Sequence, residues 1–412
     1  MEKGLPAQVA KLAARVAEEG GELFVVGGWV RDRLCGVATK DVDLEVHGLK
    51  GETLEALLAS MGRVDLVGRS FGVYKCRIDG ETFDISLPRR DSRSGAGAPD
   101  PFMGLEEALR RRDLTLNAIA LRPLSGELID PFGGRGDIER GVLRAVDRER
   151  FGDDPLRVLR AARFASKFDF SADEELISIC RSQALGGLPA ERVAVELHRT
   201  MFETAYPWCA LELLESCGQL EVVVPGLGGH GLEAVIDGWK RALGFWRERS
   251  PECRGRGERL ALMWGLMALL GSVDVLATLK RLRLRSVDGI PLQRAVTGYV
   301  ELLGGEQPPL ETTLRSAAEF APTIVTVALL HALGEKRSPV DVEALARHLG
   351  VEEGPLPQLV NGAALRGVGL SDGPEMGYWL RVIREKQLCG ELSTEEEALQ
   401  LVTSRLGDQE FP

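Results

Sequence analysis

The sequence predicts an α+β fold: an N-terminal head built on a mixed sheet with helices, followed by an elongated all-α neck, body and tail. Three observations predict it. Short apolar or alternating runs, separated by Gly-rich and turn dipeptides, crowd residues 1–145. From Asp154 onward nearly all apolar residues fall at helical spacing. The length, 412 residues, suggests roughly two to four domains. A hydrophobic share of 44% against 27% charged residues is that of a soluble globular chain.

In the head, Glu22–Val26 (ELFVV) reads as a short apolar strand, ended by Gly27-Gly28. Val30–Leu34 is a helical turn, Asp41–Val46 (DVDLEV) alternates like a strand, and Leu54–Met61 is an amphipathic helix. Val73–Ile78 and Thr82–Leu87 flank Asp79-Gly80, a strong hairpin signal. Residues 91–104 (DSRSGAGAPDPFMG) read as a mobile loop, Leu105–Arg112 as a helix, and Glu127–Asp130 as the last strand before the turn Pro131–Gly134. Helices are expected at Pro155–Phe168, Ala172–Leu185, Pro189–Glu203, Trp208–Leu220, Glu258–Leu270, Val273–Leu284, Glu311–Ala332, Pro374–Lys386 and Thr394–Ser404.

Composition excludes several function classes. No apolar run reaches the roughly 18 residues of a membrane span, and Met1–Ala14 has no apolar signal core. No membrane partner and a cytoplasmic location are therefore expected. Seven scattered cysteines without a CxxC pair argue against a disulfide framework or a zinc site. Five scattered histidines argue against a His-based metal enzyme.

The chemistry begins at Asp41 and Asp43. Two apart on a strand, they point to one face and form a hard-oxygen site suited to Mg2+. Such pairs are common by chance, so the context decides. Upstream, Gly27-Gly28-Trp29-Val30-Arg31-Asp32 forms a strand–Gly-Gly–helix element. Glycines there let backbone N–H groups approach a triphosphate at a helix start, and Arg31 adds a charge-assisted bond.

Val26–Val46 (VGGWVRDRLCGVATKDVDLEV) resembles the first motif of the class II tRNA nucleotidyltransferases, a family that includes CCA-, CC- and A-adding enzymes and bacterial poly(A) polymerases. Four further blocks follow in the family's order: Arg111–Ala120 (RRDLTLNAIA), Asp130–Asp137 (DPFGGRGD), Asp153–Phe164 (DDPLRVLRAARF) and Leu188–Leu197 (LPAERVAVEL). The resemblance implies a catalytic head at 1–145, a neck with a nucleotide-templating helix at 146–205, a tRNA-binding body at 206–305 and a tail at 306–412.

It also implies roles. Arg111, Arg112 and Asp113 can hydrogen-bond a ribose 2′-OH, with Asn117 one helical turn on. Asp154 and Arg157, three apart on a helix, complement the Watson–Crick edge of cytosine or adenine: Asp accepts from the amino group and Arg donates to the ring. The bland alternative for such a pair is a surface salt bridge. Arg160 and Arg163 continue that face and can clamp phosphates. The family's usual Glu-Asp is Asp153-Asp154 here. By the resemblance Glu191 and Arg192 orient the templating helix. Asp84 matches a third carboxylate near the metal site, acting as base on the RNA 3′-OH or as accessory ligand. Asp41 and Asp43 thus hold Mg2+ while the tRNA 3′ end attacks the nucleotide and pyrophosphate leaves.

Full CCA enzymes have a flexible loop that switches the pocket from CTP to ATP, and CC-adding relatives have it shortened. Residues 91–104 are several residues short of the pattern, so CC addition from CTP is expected, with full CCA addition from CTP and ATP as the alternative. A CC-only enzyme implies a separate A-adding enzyme. A poly(A) polymerase is disfavoured because residues 341–412 hold 6 Lys+Arg against 13 Asp+Glu. A catalytically dead tRNA-binding protein is disfavoured by the intact Asp41, Asp43, Arg31, Asn117, Asp154 and Arg157.

The net charge of −11 discourages an RNA partner only as a sum. Residues 240–294 hold 12 Lys+Arg against 5 Asp+Glu, including Arg249, Arg254, Arg281, Arg283 and Arg285. This local basic surface is the expected grip on the tRNA acceptor end.

Overall fold

In the head, the run Leu23–Val26 is apolar because both faces of its strand are covered. In the computed structural model, which describes the chain except residues 1–3, 40, 69–72, 93–94, 248–254, 272 and 407–412, the N-terminal unit runs as follows. Its elements are α1 (Ala7–Glu18), β1 (Glu22–Val26), α2 (Gly28–Leu34), β2 (Asp43–His47), α3 (Gly51–Met61), β3 (Arg63–Gly68), β4 (Val73–Ile78) and β5 (Glu81–Ser86). Then come β6 (Arg89–Ser92), β7 (Gly95–Pro99), α4 (Leu105–Arg110), β8 (Ala120–Arg122), β9 (Glu127–Ile129), α5 (Gly134–Arg140) and β10 (Val142–Leu143). Next are α6 (Arg148–Phe151), α7 (Leu156–Phe168), β11 (Ser171–Ala172), α8 (Glu174–Arg181), α9 (Ala190–Glu203) and α10 (Trp208–Ser216).

Seven strands form one mixed sheet in the order β3-β4-β5-β2-β1-β8-β9. Only β2 and β5 pair in parallel within it, and that pairing sets Asp43 opposite Asp84. On β1, Leu23 and Val25 pack with Val9, Leu12 and Val16 of α1 and Leu54 and Leu58 of α3. Phe24 and Val26 face the other way, onto Leu109, Ala118 and Ala120. Each such buried side chain contributes about 1.5–3 kcal/mol. On β2, Leu44 and Val46 join the first core, and the pleat therefore turns Asp43, Glu45 and His47 to the second face.

The pattern missed α1, although Val9, Leu12, Ala13 and Val16 stand at helical spacing. Asp41 lies just ahead of β2 rather than on it. The segment expected as a loop instead holds the two-stranded antiparallel β6–β7 pair, closed by Asp100 N–H donating to the Pro88 carbonyl and by an Arg90–Asp100 ion pair at 2.8 Å. Arg93 and Ser94 lie outside the described residues.

The chain divides into two compact units, residues 1–222 and 223–412. The described part of the second is helical, with helices at Gly229–Arg247, Arg256–Leu270, Val275–Arg281, Leu292–Leu303, Leu310–Ala317, Thr323–Leu333, Pro339–His348, Gly362–Gly367, Pro374–Cys389 and Glu395–Leu406. The single helix expected at Glu311–Ala332 is two, because Pro322 cannot continue the first. Among the described residues no helix is long and apolar enough to cross a membrane. Cys35, Cys76, Cys180, Cys209, Cys217 and Cys389 are free, and Cys253 lies outside the described residues.

The DPFGGRGD block earns its glycines at the entry to α5. Asp130 accepts from the N–H groups of Gly134 and Arg135 at 2.8 and 2.9 Å, which satisfies orphan donors of the first turn. Gly133 adopts φ +72°, and a Cβ on Gly134 would fall against the Thr115 carbonyl. Gly134→Ala should therefore destabilise the N-terminal unit by about 1–3 kcal/mol through overpacking, read as a lower urea midpoint with an unchanged slope. Gly136→Ala, which meets only the tip of the Arg140 side chain, should change it little.

Candidate active site

The turn from β1 into α2 forms the floor of the site. Gly27 holds φ +65°, a left-handed conformation that glycine adopts readily. A Cβ there would stand 2.7 Å from Arg112 Nη1 and 3.7 Å from Asp43 Oδ2, and one on Gly28 3.7 Å from Asp43 Oδ2. The backbone thus lies bare beside the carboxylate. The Asp43 carboxyl is pushed above its ordinary pKa, first by the protein packed round it, with Asp84 and Asp41 adding and Arg112 opposing. Asp84 is exposed and faces Lys75 at 3.6 Å. Asp41 is exposed.

Behind the turn runs a buried polar chain. Arg31 donates from Nε to Asp32 at 2.7 Å and from Nη1 to the Asn117 Oδ1 at 2.6 Å. Its guanidinium carbon lies 4.7 Å from the Phe164 ring centre and 5.5 Å from that of Phe168. Asn117 donates to Asp113 Oδ1 at 2.7 Å, and Arg160 Nε donates to Asp113 Oδ2 at 2.7 Å. Lys167 Nζ closes the chain on Asp32 at 2.7 Å. Burial alone would push the Asp113 carboxyl up. Arg160, the Asn117 amide and the Leu114 N–H together hold it below the usual carboxylate range.

At the start of α7, Asp154 stands before the helix and not on it. Its Oδ1 accepts from Leu156 N–H at 3.1 Å, and its Oδ2 meets Arg192 at 2.7 Å. Arg157 donates to the carbonyls of Arg150 and Arg111 at 2.7 and 2.8 Å. The bland surface salt bridge between Asp154 and Arg157 is not among the described ion pairs; each has other partners. Arg163, the second arginine expected to clamp phosphates, lies on the same helix α7. It is buried and bound to Glu196 at 2.7 Å, so its charge is already met inside the protein.

These groups converge on one cleft of about 500 Å3, lined by Gly27, Gly28, Arg31, Asp43, Arg111, Arg112, Asp113, Asn117, Asp154, Leu156, Arg157, Arg160, Arg163, Phe164, Arg192 and Arg199. Asp41 and Asp84 are not in its lining, although Asp84 is the register neighbour of Asp43. Pattern reasoning missed Asp32, Phe164, Lys167 and Arg199. The signal for Phe164 and Phe168 was their i,i+4 spacing on the motif helix; Arg199 carried none. Arg281, Arg283 and Arg285 lie in the second unit and are exposed. Arg249 and Arg254 lie outside the described residues.

A mixed sheet whose glycine turn presents bare backbone beside an acidic strand end, under a wall of arginines, has the geometry to hold a phosphate-bearing ligand. Residues 23–144 match the Poly A polymerase head domain. That match covers the head alone, and it is the part of the chain that a family model describes. The multifunctional CCA protein of Nitrosococcus oceani is 40% identical over 216 residues, 50% of this chain and 50% of that protein. That of Aromatoleum aromaticum is 42% identical over 214 residues, 49% of this chain and 50% of that protein. The chain thus spans about half the length of the curated relatives it matches. In fold it resembles the Bacillus stearothermophilus CCA-adding enzyme in complex with CTP, with TM-score 0.72 and 24% identity over 98% of this chain and 100% of that one. The Thermotoga maritima CCA-adding enzyme complexed with tRNA has TM-score 0.64 and 24% identity over 97% of this chain and 95% of that one.

The depressed Asp113 carboxyl carries a pH signature. Its stabilising contribution is complete above the unfolded value, near 3.8, and is lost as pH falls through the lower folded value. The stability difference between the protein and Asp113→Asn should be flat from pH 7 to 5 and shrink below about pH 4, measured by urea melts at each pH.

Proposed function

We propose that the protein is a template-independent tRNA nucleotidyltransferase that extends the tRNA 3′ end, adding CC from CTP with release of pyrophosphate. The observation that carries this reading is the single cleft that joins the Gly27-Gly28 turn and Asp43 to the Asp113–Asn117 pair and to Asp154 and Arg157. Gly27 and Gly28 offer backbone to the phosphates, and Arg112, expected at the ribose, stands beside that turn instead. Asp113 and Asn117 meet the ribose, and Arg160 holds Asp113 in place. Asp154 and Arg157 read the base edge, with Arg192 steering the Asp154 carboxylate.

The donor set fits a divalent cation such as Mg2+. Asp43 is crowded by the like charges of Asp84 and Asp41, the glycine turn leaves space against its Oδ2, and carboxylate oxygens are hard donors. Among the described residues no three acidic, His or Cys side chains are already gathered as a metal cage. Asp41 and Asp43 would hold the ion, with Asp84 as base or accessory ligand. Bound there, such an ion lowers the pKa of the primer 3′-OH and offsets phosphate charge. The protein's part is positioning and charge stabilisation, with no covalent intermediate.

CC specificity is supported by the short segment 91–104, whose described residues take part in the β6–β7 pair. Full CCA addition is the second reading, favoured by the names of the curated relatives. CC-only addition requires a separate A-adding enzyme in the cell. The discriminating assay supplies tRNA ending at the discriminator base, or ending in CC, with CTP or ATP alone. Extension by two C without A supports the first reading, and efficient A addition to the CC end establishes the second. Asp43→Ala should abolish transfer with an unchanged circular dichroism melt; near-normal turnover would remove Asp43 from the catalytic set.

Exposed Arg281, Arg283 and Arg285 are proposed as the tRNA grip. Neutralising all three should raise KM for tRNA by at least about tenfold at physiological salt and flatten its salt dependence, with KM for CTP little changed.

A further inference from the structure

Beyond Asp43, β2 carries two buried polar side chains that the reaction as described leaves unused. Glu45 and His47 follow Asp43 on the same strand face. The Glu45 Oε1 lies 3.0 Å from His47 Nε2, and His47 Nδ1 lies 2.9 Å from the carbonyl of Met103. Phe24 closes edge-on against the imidazole at 5.4 Å. The second Glu45 oxygen, Oε2, lies 3.8 Å from Arg112 Nη2. Arg112 reaches on to Gly27, where its Nη1 stands 2.7 Å from the place a Cβ would take. A buried carboxylate is costly unless it is paired and hydrogen-bonded, and here the partners are His47 on one side and Arg112 on the other.

The same carboxylate bears on the wider arginine cluster. Arg89, the first residue of β6, has its guanidinium pushed down first by burial and then by Arg111, with Glu45 opposing. The end of β2 also holds the stem of the β6–β7 pair, since Gly48 N–H donates to the Pro101 carbonyl at 2.7 Å.

We propose that Glu45 is a positioning residue for the nucleotide site: braced by His47, it sets the Arg112 guanidinium over the Gly27-Gly28 turn beside Asp43, where the phosphates of the incoming nucleotide lie. This rests on the transferase reading above. A free arginine has several rotatable bonds, and ordering it when the nucleotide arrives takes entropy from binding. Fixing it beforehand leaves that binding energy for the nucleotide. A strand carboxylate that served stability alone would act equally whether or not Arg112 were present.

The test is a double-mutant cycle on the full chain. Steady-state extension of tRNA by CTP, calorimetric binding of CTP with Mg2+, and thermal melts are compared for the wild type, Glu45→Gln, Arg112→Ala and the double variant. Glu45→Gln should raise KM for CTP and weaken CTP binding by about tenfold with kcat nearly kept, the effect of roughly one lost charge-assisted contact. In the Arg112→Ala background it should add nothing. Equal losses in both backgrounds, or an unchanged KM, overturn the positioning role while an active wild type keeps the transferase reading. If Glu45→Gln melts early, His47→Gln, which leaves the carboxylate but removes its brace, must show the same non-additivity. A wild type that binds CTP but never extends tRNA overturns the transferase reading, and the binding cycle then decides for Glu45. A wild type that does neither overturns both.

Discussion

A guanidinium buried against aromatic rings has no water to turn to, and Arg31 places that demand on the whole N-terminal unit. It sits over Phe164 and Phe168 of α7 and must find acceptors inside the protein. Asp32 and Asn117 supply them, and each is in turn bound to a further partner, Lys167 and Asp113. Asp113 passes the constraint back to α7 through Arg160. The helix is thus gripped at two levels from the head, and no member can be removed without leaving another buried group unmet. Breaking one partner of such a set is costly because the survivor stays buried. Helices α2 and α7 are held as one piece by charge, not by apolar packing alone.

That grip decides what the cleft can do. A base edge is read by donors and acceptors at fixed separations, and an error of about 1 Å in their placement can cost a hundredfold in rate. Arg157 is anchored by two carbonyls, one from the neck and one from Arg111 beside Asp113. The residue proposed to meet the base and those proposed to meet the ribose therefore share a backbone junction. Asp154 is set from a third direction, by Arg192 of α9. An orientation fixed from three elements suits the proposed selection of a nucleotide with no nucleic-acid template beneath it.

Residues whose chemistry is local were legible in the sequence; those defined by a distant partner were not. Gly27-Gly28 could be read because a positive φ and a bare backbone leave a local signature. Asp43 could be read because strand alternation points it to a face. Asp154 and Arg157 were placed in the right cleft but with the wrong geometry: Pro155 starts the helix after Asp154, so the carboxylate caps α7 rather than riding on it. The partner of Arg163 was not legible, because sequence spacing does not show that Glu196, on another helix, holds it. Lys167 and Arg199 had no local mark at all, since their roles depend on which helix packs beside which. The β6–β7 pair was hidden by composition: a run of Gly, Ala, Ser and Pro reads as loop, while the pairing arises from register between its two ends.

The same distinction resolves the charge. A net of −11 is a property of the chain, but a polyanion meets a surface through the potential within about 8 Å of it at physiological salt. Eight arginines and three aspartates line the cleft, and much of that excess is already engaged: Arg160 with Asp113, Arg192 with Asp154, Arg163 with Glu196, and Arg112 with Glu45. Pairing does not waste the cations. It holds rigid forks at set positions, so an arriving phosphate need not organise them. It also spares the empty site the mutual repulsion of clustered arginines, which pushes the Arg163 guanidinium down after burial has done so first, with Glu196 opposing. Acidic residues inside the cleft are therefore part of how it would bind the proposed phosphates, and the acidic sum over the chain is compatible with a basic wall built from such pairs.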